Sequence, residues 1–593
     1  MVCQLVESDT NYGNFERCIL IFVKLFLKKY SLAFIFLLAF ILRVWGLEKT
    51  PDGFHVDEVK VGWNAYSILK TGQDDWGHKF SLHYNTFGDF RPTGLIYLTI
   101  PSIAIFGLNE FAVRFPGALA GSLTVVVLYL FLKELLSSSE KLTRSLAHSF
   151  PLLASLMLSL SPWHISLSRA TSEAIIAIFL TLTGLWLLIK YLKTPKPAYV
   201  AACFLFLVGS YFFYHSARLL VPILATCVVG YFLWLRRSKK PDVQIQIHSR
   251  RPSVFSGLGT TLRNPEVVLC LCLFLITLVF SLNPAARGRL NQVSIFNDLD
   301  IKYELDKMPF EEGPNKIFIA RLFHNKPIVY TRHFINQYTK YFSSDFFLTP
   351  KVAKPGRYQT VGMGVLTYVE LALLIAGVIA LIRNPKNPLA LCGILLLLAP
   401  LPAAITTEDS PNLSRAAYMI PFISAISGLG LWHLSKVRTR NYSLRAICYV
   451  LLGLNFIFFL HMYFIHNRVG NTMARSVGTK ELAIVLGSLA RRYDQIYLTN
   501  IPDSPYPWIA YFQKLDPKTF NEKAMVRDKG RWTYKEYNFL TARCPSRDAF
   551  QNQGKILAVD ADACEAQSPE GAKMLDQIRR PDGTIVYTLW SRE

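Results

Sequence analysis

Long apolar blocks separated by short polar segments are the feature that most constrains how this chain folds. Hydrophobic residues make up 51% of the sequence and charged residues 18%, whereas an average soluble protein carries about 25% charge. Apolar blocks of this kind are typical of helices that cross a bilayer. The sequence therefore predicts a polytopic α-helical membrane protein with about 11 transmembrane helices, at residues 31–46, 113–132, 150–163, 174–191, 199–213, 219–235, 267–282, 361–382, 389–405, 416–434 and 446–465.

The charged residues between these blocks indicate how the chain is oriented. Short basic loops stay on the cytoplasmic side of a membrane, and the basic loops share one side only if the apolar stretch 93–107 does not cross. We therefore predict a cytoplasmic N-terminus, an interfacial or re-entrant helix at 93–107, and a multi-pass protein of the inner or plasma membrane. The net charge of +23 reflects this orientation, and we exclude nucleic acid as a partner. The basic segments are 28–29, 133–144, 190–196, 236–263, 383–386 and 436–445.

The same pattern separates an N-terminal segment from the membrane domain. Residues 1–30 lack a convincing signal-peptide cleavage site and are predicted to be a cytoplasmic amphipathic segment, with a helix on the membrane surface at 15–30. Residues 31–466 are predicted to form the transmembrane domain. Its two long outer loops are expected at 47–109 and 283–360.

Residues 467–593 are predicted to form an extracytoplasmic α/β domain. Cys544 and Cys564 lie in it, and the other eight of the ten cysteines lie in predicted spans or on the cytoplasmic side. In an oxidising compartment these two are expected to form a disulfide, the alternative being two buried thiols. Helical periodicity and β-rich runs predict a helix at 480–492 and strands at 495–499, 555–559 and 583–590.

Adjacent carboxylates in the first outer loop are the first candidates for chemistry. Asp57 and Glu58 follow His55 soon after the first span, and Asp89 and Arg91 follow later in the same loop. Such carboxylates at a membrane surface suit a general base or a metal site that faces a lipid-borne substrate. The alternative is local, because Asp57 could cap a helix that starts at Glu58.

Arginines recur in the other predicted outer turns. Arg169 and Glu173 are four residues apart, which also fits a simple helical ion pair. His215 and Arg218 precede the sixth span, and Arg415 precedes the tenth. Each arginine alone could be an interface anchor. As a set on the outer side, Arg91, Arg169, Arg218 and Arg415 favour binding of a lipid-linked phosphate, with a carboxylate nearby to remove a proton.

Five motifs on the predicted outer side resemble glycosyltransferase family 39, over about residues 30–470. This family contains dolichyl-phosphate-mannose protein mannosyltransferases and bacterial lipid A aminoarabinose transferases. The Asp89 motif resembles the family's acid-Lys-Pro-Pro element, with Arg91 in place of Lys and Thr93 in place of the second Pro. The motifs are Asp57-Glu58, Asp89-Phe90-Arg91-Pro92, Ala112-Val113-Arg114-Phe115-Pro116-Gly117-Ala118, Ser161-Pro162 with Ser168-Arg169, and Tyr214-His215-Ser216-Ala217-Arg218.

The resemblance implies a GT-C fold, in which the first outer loop forms the active site, and an inverting transfer from a polyprenyl-phosphate sugar. It implies that Asp57 is the general base and that Arg91 contacts the donor phosphate. Glu58 and Glu173 would bind acceptor hydroxyls or orient an arginine. The aminoarabinose transferases also bind a metal near this element. The sequence offers no complete ligand set, so a divalent metal cofactor stays open.

These observations predict a membrane glycosyltransferase that moves a sugar to an acceptor hydroxyl on a protein, lipid or glycan. A transporter or flippase of lipid-linked sugars is the main alternative, and it predicts mid-span polar residues and an internal repeat. The charges here cluster on one side instead. A third alternative, an anchored sensor or scaffold, does not need 11 spans.

Overall fold

The structure is a computed structural model. The residues that it describes are 30–86, 89–137, 144–237, 264–282, 293–313, 316–349, 356–436, 442–528, 531–562, 564 and 569–592. The amphipathic helix predicted before residue 30 therefore lies outside the described residues, as does most of the predicted cytoplasmic loop 236–263.

Long apolar helices make this a polytopic helical membrane protein. Within the described residues, six helices are long and apolar enough to cross a bilayer, or seven if the pair Ser149–Leu160 and Pro162–Arg169, bent by 56°, forms one span. The six are Glu110–Leu136, Glu173–Lys193, His215–Arg236, Pro265–Leu282, Ala417–Lys436 and Ala446–Gly470. Four shorter apolar helices are Tyr30–Val44, Gly94–Phe106, Pro197–Phe212 and Ala390–Ala404.

Two of the shorter apolar helices have a local reason for their length. The apolar helix Ala390–Ala404, in the predicted span 389–405, is interrupted near Pro400 into the helical pieces Ala390–Leu398 and Leu401–Ala404. Proline lacks an amide donor and clashes with the preceding turn. Gly94–Phe106 has 13 residues and is about 20 Å long, which is less than the hydrocarbon core of a bilayer.

The helices are numbered here in chain order. They are α1 (Tyr30–Val44), α2 (Val56–Thr71), α3 (Gly94–Phe106), α4 (Glu110–Leu136), α5 (Arg144–Leu160), α6 (Pro162–Arg169), α7 (Glu173–Lys193), α8 (Pro197–Gly209), α9 (His215–Arg237), α10 (Pro265–Leu282), α11 (Leu299–Asp306), α12 (Met308–Glu311), α13 (Ile317–Phe323), α14 (Lys326–Lys340), α15 (Ser344–Phe347), α16 (Tyr368–Arg383), α17 (Ala390–Leu398), α18 (Leu401–Ala404), α19 (Ile420–Lys436), α20 (Tyr442–His461), α21 (Asn467–Gly470), α22 (Thr479–Leu489), α23 (Tyr506–Phe512) and α24 (Ser546–Ala549).

Glycines allow the membrane helices to approach closely. α19 packs against both α16 and α5. At Gly377 and Gly430 an added Cβ would collide with backbone of the facing helix, and at Gly428 it would collide with backbone of Ala154. Within a bilayer the hydrophobic effect does not drive helices together, so their association relies on close van der Waals packing. Small residues at the contacts allow that packing.

Two sheets complete the fold. β1 (His83–Thr86) and β2 (Asp89–Pro92) form an antiparallel hairpin in the first outer loop. The second sheet has seven strands, which are β3 (Gln495–Thr499), β4 (Val526–Asp528), β5 (Arg531–Tyr534), β6 (Tyr537–Leu540), β7 (Ile556–Ala561), β8 (Lys573–Arg579) and β9 (Ile585–Arg592). Their order in the sheet is β4-β5-β6-β3-β7-β9-β8, with β3 parallel to β6 and β7 and the other pairs antiparallel.

The cysteine prediction is confirmed in this part of the chain. Cys544 and Cys564 form a disulfide, with their Cα atoms 5.7 Å apart. The bond closes the segment between the end of β6 and the end of β7, which contains α24.

The C-terminal part of the chain packs directly on α2. Trp508 of α23 donates its indole N–H to the carbonyl of Phe54 at 2.9 Å, and the Tyr506 hydroxyl donates to Asp75 at 2.5 Å. Lys60 of α2, which is fully buried, pairs with Glu522 and lies 3.6 Å from Asp75. α2 is thereby fixed between the membrane helices and the C-terminal segment.

Candidate active site

A cavity of about 1000 Å³ lies where the first outer loop meets the ends of several membrane helices. The start of α2, β2, the N-terminal ends of α7 and α9, and the C-terminal end of α10 contribute to its wall. The segments 356–359 and 402–415 also contribute, as do Val293, Phe296 and Ala474. Seven of the predicted site residues line this cavity, namely His55, Asp57, Arg91, Glu173, His215, Arg218 and Arg415.

The N-terminus of α2 determines which carboxylate faces the cavity. α2 begins at Val56, and His55 rather than Asp57 is its N-cap, because the His55 side chain accepts from the Asp57 amide at 3.1 Å. Consecutive side chains on a helix diverge by about 100°. Asp57 therefore lines the cavity, while Glu58 points into the protein. The local alternative, in which Asp57 caps the helix, does not hold.

Asp57 lies between two guanidinium groups. Arg91 of β2 is 2.6 Å from Oδ2 of Asp57, and Arg357 donates to the same oxygen. Burial would raise the pKa of Asp57, but the charges of Arg357 and Arg91 outweigh burial and hold the pKa below its ordinary value. The carboxylate is therefore ionised across the neutral range and is a weak base while both arginines stay in place.

His55 is neutral in this arrangement. Its Nδ1 accepts from the Asp57 amide and from Arg357, at 3.1 and 2.9 Å, which leaves the proton on Nε2. Burial and the nearby Arg357 charge lower the pKa of His55 to about 3. His55 thus helps to hold Asp57 and Arg357 without adding charge.

Arg218 is a cation in the cavity wall and is held by neutral acceptors. Its side chain is 6% exposed and donates to the Tyr211 carbonyl, to Nδ1 of His215 at 3.1 Å and to Nε2 of His83 at 3.2 Å. Among the described residues, no carboxylate lies within ion-pair distance of it. A buried cation held only by neutral acceptors is poised to receive an anionic ligand.

The two histidines beside Arg218 come from different elements. His215 starts α9, and His83 starts the hairpin that also carries Arg91. Their rings stack with centroids 6.2 Å apart, and burial together with the Arg218 charge lowers the pKa of His83 to about 4. His83 was not among the predicted site residues, because nothing in its local sequence distinguishes it from an exposed hairpin residue.

Arg415 lines the cavity at another place, next to acidic residues. It pairs with the Glu408 carboxylate at 2.8 Å and donates to the Thr406 hydroxyl at 3.0 Å. Asp409 also lines this part of the wall. The charge of Arg415 is therefore already balanced, so its predicted role as a phosphate ligand has less support than that of Arg218.

Two predicted site residues lie away from the cavity. Arg169 is fully buried, and its guanidinium donates to the carbonyls of Leu42, Gly46 and Thr50. Its predicted role as a phosphate ligand does not fit this position. The predicted helical pairing of Arg169 with Glu173 is also absent, because the chain breaks between α6 and α7 and only Glu173 reaches the cavity.

Glu58 is the other residue that the structure places elsewhere. It is 1% exposed, pairs with Arg114 at 3.0 Å and with Arg475, and accepts from the Thr171 hydroxyl. The side chain of Asp89 lies outside the described residues, although its backbone forms the start of β2. The buried position of Glu58, away from the cavity, does not support a role for it as a catalytic base.

Arg357, like His83, is a site residue that the sequence did not predict. It follows residues 351–355, which lie outside the described part of the chain, in a loop too long for charge to indicate sidedness. A basic residue in such a loop is not distinguished from its neighbours by any local sequence pattern. Only the fold shows that it reaches Asp57, about 300 positions earlier in the chain.

The residues around Asp57 do not form a cation site. Two guanidinium groups are paired with Oδ2 of Asp57, and Nδ1 of His55 is occupied by two donors. Within the described residues, no group of three or more His, Cys, Asp or Glu side chains converges in a metal-binding geometry. We therefore derive no chemical step through a metal.

Comparison with known proteins confirms the resemblance over part of the chain. The sequence model of the dolichyl-phosphate-mannose-protein mannosyltransferase family matches residues 91–245, which run from Arg91 past Arg218. No curated protein sequence matches the chain. Together with the long apolar helices, the family match indicates a glycosyltransferase embedded in a membrane.

Several solved structures are similar to this one at low identity. ArnT from Cupriavidus metallidurans in the apo state has 14% identity and a TM-score of 0.48, over 98% of each chain. ArnT bound to undecaprenyl phosphate has 13% identity and a TM-score of 0.47, over 94% of this chain and 97% of that one. The Archaeoglobus fulgidus oligosaccharyltransferase AglB, in complex with an inhibitory peptide and a dolichol-phosphate, has 13% identity and a TM-score of 0.43, over 83% of this chain. This chain spans 64% of AglB.

Proposed function

We propose that this protein transfers a sugar from a polyprenyl-phosphate donor to an acceptor hydroxyl in the cavity, with inversion at the anomeric carbon and Asp57 as the general base. We propose further that it adopts the GT-C fold and works on the extracytoplasmic side. The observation that carries the proposal is Arg218, a buried cation without a carboxylate partner among the described residues, in the same cavity as an ionised Asp57.

The phosphate of the donor binds at Arg218. A phosphodiester carries one negative charge, and Arg218 offers one guanidinium whose hydrogen-bond acceptors among the described residues are a carbonyl and two imidazole nitrogens. Replacing those neutral acceptors by phosphate oxygens gains a charge-assisted hydrogen bond at a buried guanidinium. The ring of Phe280 lies 4.7 Å from the guanidinium and holds it in place.

The lipid of the donor lies along the apolar side of the cavity. Leu219 at the start of α9 and Phe280 at the end of α10 form this side together with Phe296 and Ile405. Leu219 and Phe296 are also 40% and 49% exposed, so the apolar wall continues from the cavity to the outer surface of the helices. A polyprenyl chain bound along these side chains would lead from the lipid toward Arg218.

Asp57 becomes an effective base when the donor binds. Its arginine partners, Arg91 and Arg357, lower its pKa as long as they contact it. A phosphate placed between Arg218 and these arginines attracts both guanidinium groups, which weakens their hold on the carboxylate and raises its basicity. Proton removal is thereby favoured only when the donor is present.

The reaction is a single displacement. The acceptor oxygen attacks the anomeric carbon from the side opposite the phosphate, and its proton passes to Asp57. The bond between the anomeric carbon and the phosphate oxygen breaks, with its electron pair going to the phosphate. Arg218, Arg91 and Arg357 stabilise the charge that develops there, and Glu173 orients the acceptor hydroxyl. The products are a glycoside with inverted configuration and a polyprenyl phosphate.

The transport alternative has less support from the cavity. Its lining residues belong to segments that the charge pattern predicts on one side of the membrane. A transport pathway needs polar access from both sides.

The proposal is tested with the purified full chain in nanodiscs and a panel of polyprenyl-phosphate sugars with peptide, lipid and glycan acceptors. Mass spectrometry detects the glycosylated acceptor, and titration with undecaprenyl phosphate measures binding at the lipid-phosphate site. We expect wild type to bind undecaprenyl phosphate and to glycosylate at least one acceptor class. Undecaprenyl phosphate binding that is unaffected by Arg218→Ala contradicts the site assignment.

A further inference from the structure

A basic and apolar segment of the second long loop lies beside the cavity and takes no part in the proposed reaction. It consists of α13 and α14, at Ile317–Phe323 and Lys326–Lys340, and is called here the α13–α14 segment. Between residues 316 and 340 it carries five Lys or Arg residues and no Asp or Glu. The preceding residues 293–313 contain six acidic and two basic residues, so the positive charge is confined to this segment.

α13 exposes large apolar side chains on one face. Phe318 is 80% exposed, Ile319 56%, Leu322 55% and Phe323 65%, while Ala320 is fully buried on the opposite side. At about 100° per residue, the four exposed side chains cover a face about 140° wide. Apolar surface of this kind, exposed in contiguous form, marks an interaction site.

Basic residues border this apolar face. Lys316 precedes α13, Arg321 lies on its flank, and Lys326 begins α14, and all three are exposed. An apolar face flanked by Lys and Arg is the pattern of a helix that lies in the headgroup region of an anionic lipid leaflet. A partner protein with an acidic surface could also pair with these charges. We favour lipid, because the loop connects the membrane helices α10 and α16 and therefore lies near the bilayer.

The segment is also connected to the cavity. α14 packs on α18, Gln337 accepts from the Ser410 hydroxyl at 2.5 Å, and the Tyr341 hydroxyl accepts from the Asn412 amide at 3.2 Å. Ser410 and Asn412 line the cavity, as does Phe296 from the start of the same loop. A segment anchored in the leaflet would therefore hold this wall of the cavity at the level of the lipid headgroups.

We infer that the α13–α14 segment is a binding surface for anionic phospholipid, with the apolar face of α13 inserted at the membrane interface and Lys316, Arg321 and Lys326 on the headgroups. This inference does not depend on the sugar-transfer reaction. It concerns lipid of the bilayer and not the donor.

The test uses the full chain in nanodiscs with a single fluorophore. The eight cysteines other than Cys544 and Cys564 are replaced, and an environment-sensitive NBD label is attached through Phe318→Cys. Leu299→Cys is the matched control, since Leu299 is 79% exposed on α11 of the same loop but lies among acidic residues. Nanodiscs contain either phosphatidylcholine alone or an equal mixture with phosphatidylglycerol, with or without spin-labelled lipid.

We expect the label at position 318 to shift its emission to the blue and to lose most of its fluorescence to spin-labelled lipid in the anionic nanodiscs. The label at position 299 should stay in water in both lipids. Combined Lys316→Glu, Arg321→Glu and Lys326→Glu should remove the dependence on phosphatidylglycerol, whereas Lys302→Glu with Lys307→Glu should not. Equal quenching at positions 318 and 299, or quenching at 318 that is independent of lipid charge, overturns the inference.

Discussion

Asp57 and Glu58 are neighbours on one helix, and each lies between two arginines, yet the structure places them in different regions. Asp57 faces a cavity with Arg91 and Arg357, whereas Glu58 lies in the protein interior with Arg114 and Arg475. The arginines around Asp57 can exchange the carboxylate for a ligand anion. Those around Glu58 have no such alternative, because both are buried and hold backbone carbonyls as well.

The comparison shows that access to a cavity, and not the ion pair itself, separates a reactive carboxylate from a structural one. The pair of Glu58 with Arg475 joins the first outer loop to the start of the C-terminal segment. Lys60, two residues after Glu58, pairs with Glu522 farther along the same segment. Breaking a buried pair leaves an uncompensated charge. Substitution of Asp57 should therefore lower activity and leave stability nearly unchanged, whereas substitution of Glu58 should lower stability.

The largest effect is expected at Asp57. Asp57→Asn should lower the turnover of sugar transfer by about 10²- to 10⁴-fold, because it removes the proton acceptor. Undecaprenyl phosphate binding should be at least as tight as in wild type, because Arg91 and Arg357 lose the carboxylate that competes with the phosphate. Thermal stability should remain close to wild type, since both arginines still line the cavity. Turnover and binding are measured on the same nanodisc preparation. Near-normal turnover in the folded variant would show that another carboxylate is the base. Glu173, which also lines the cavity, would be the next candidate.

Glu58→Gln should instead lower stability. Removing the carboxylate leaves Arg114 and Arg475 buried without a counter-ion, which costs about 3–5 kcal/mol. Asp52→Asn is the matched control, because Asp52 forms a more exposed pair with Arg468 at 3.4 Å that is worth about 0–1 kcal/mol. Thermal unfolding in one detergent compares the three proteins. If both variants unfold like wild type, the buried cluster does not hold the loop in place.

Arg218→Ala should weaken undecaprenyl phosphate binding by about 10- to 100-fold, the effect of losing a charge-assisted hydrogen bond of about 1.5–3 kcal/mol. Arg218→Lys should restore part of the affinity, because it keeps the charge. Arg236→Ala, at the opposite end of the same helix and paired with Glu266 at 3.6 Å, is the control that should bind normally. Equal weakening by both alanine variants would indicate a general effect on α9.

The smallest effect is expected in the acid dependence of stability. Burial would raise the pKa of Glu58, but Arg114 and Arg475 lower it from an ordinary 4.5 to about 2. Its ion pairs therefore contribute stability that is fully present above about pH 4.5 and is lost as the pH falls toward 2. The stability difference between wild type and Glu58→Gln should be constant at neutral pH and should narrow in that acid range. A difference that stays constant down to pH 2 is inconsistent with the lowered pKa.

Local patterns in the sequence predicted much of the site because its residues lie at the ends of apolar blocks. Asp57, Arg91 and Arg218 each follow or precede such a block. An ionisable group at the edge of a membrane helix is costly to bury, so it indicates a functional site. Arg357 and His83 lie inside a loop and a hairpin, where charge and polarity are ordinary. Their role depends on contacts with residues far away in the chain.

The apolar periodicity and the basic short loops were sufficient to predict a polytopic helical membrane protein, because the cost of burying polar groups in lipid acts on each segment separately. The pairing of Cys544 with Cys564 was also predictable, since composition left few alternatives. Only the tertiary structure decided which of Asp57 and Glu58 faces the cavity. It also decided that Arg169 donates to backbone carbonyls and that Arg357 reaches the carboxylate of Asp57. These outcomes depend on the direction of α2 and on packing of the C-terminal segment against it, which are long-range contacts that no local pattern encodes.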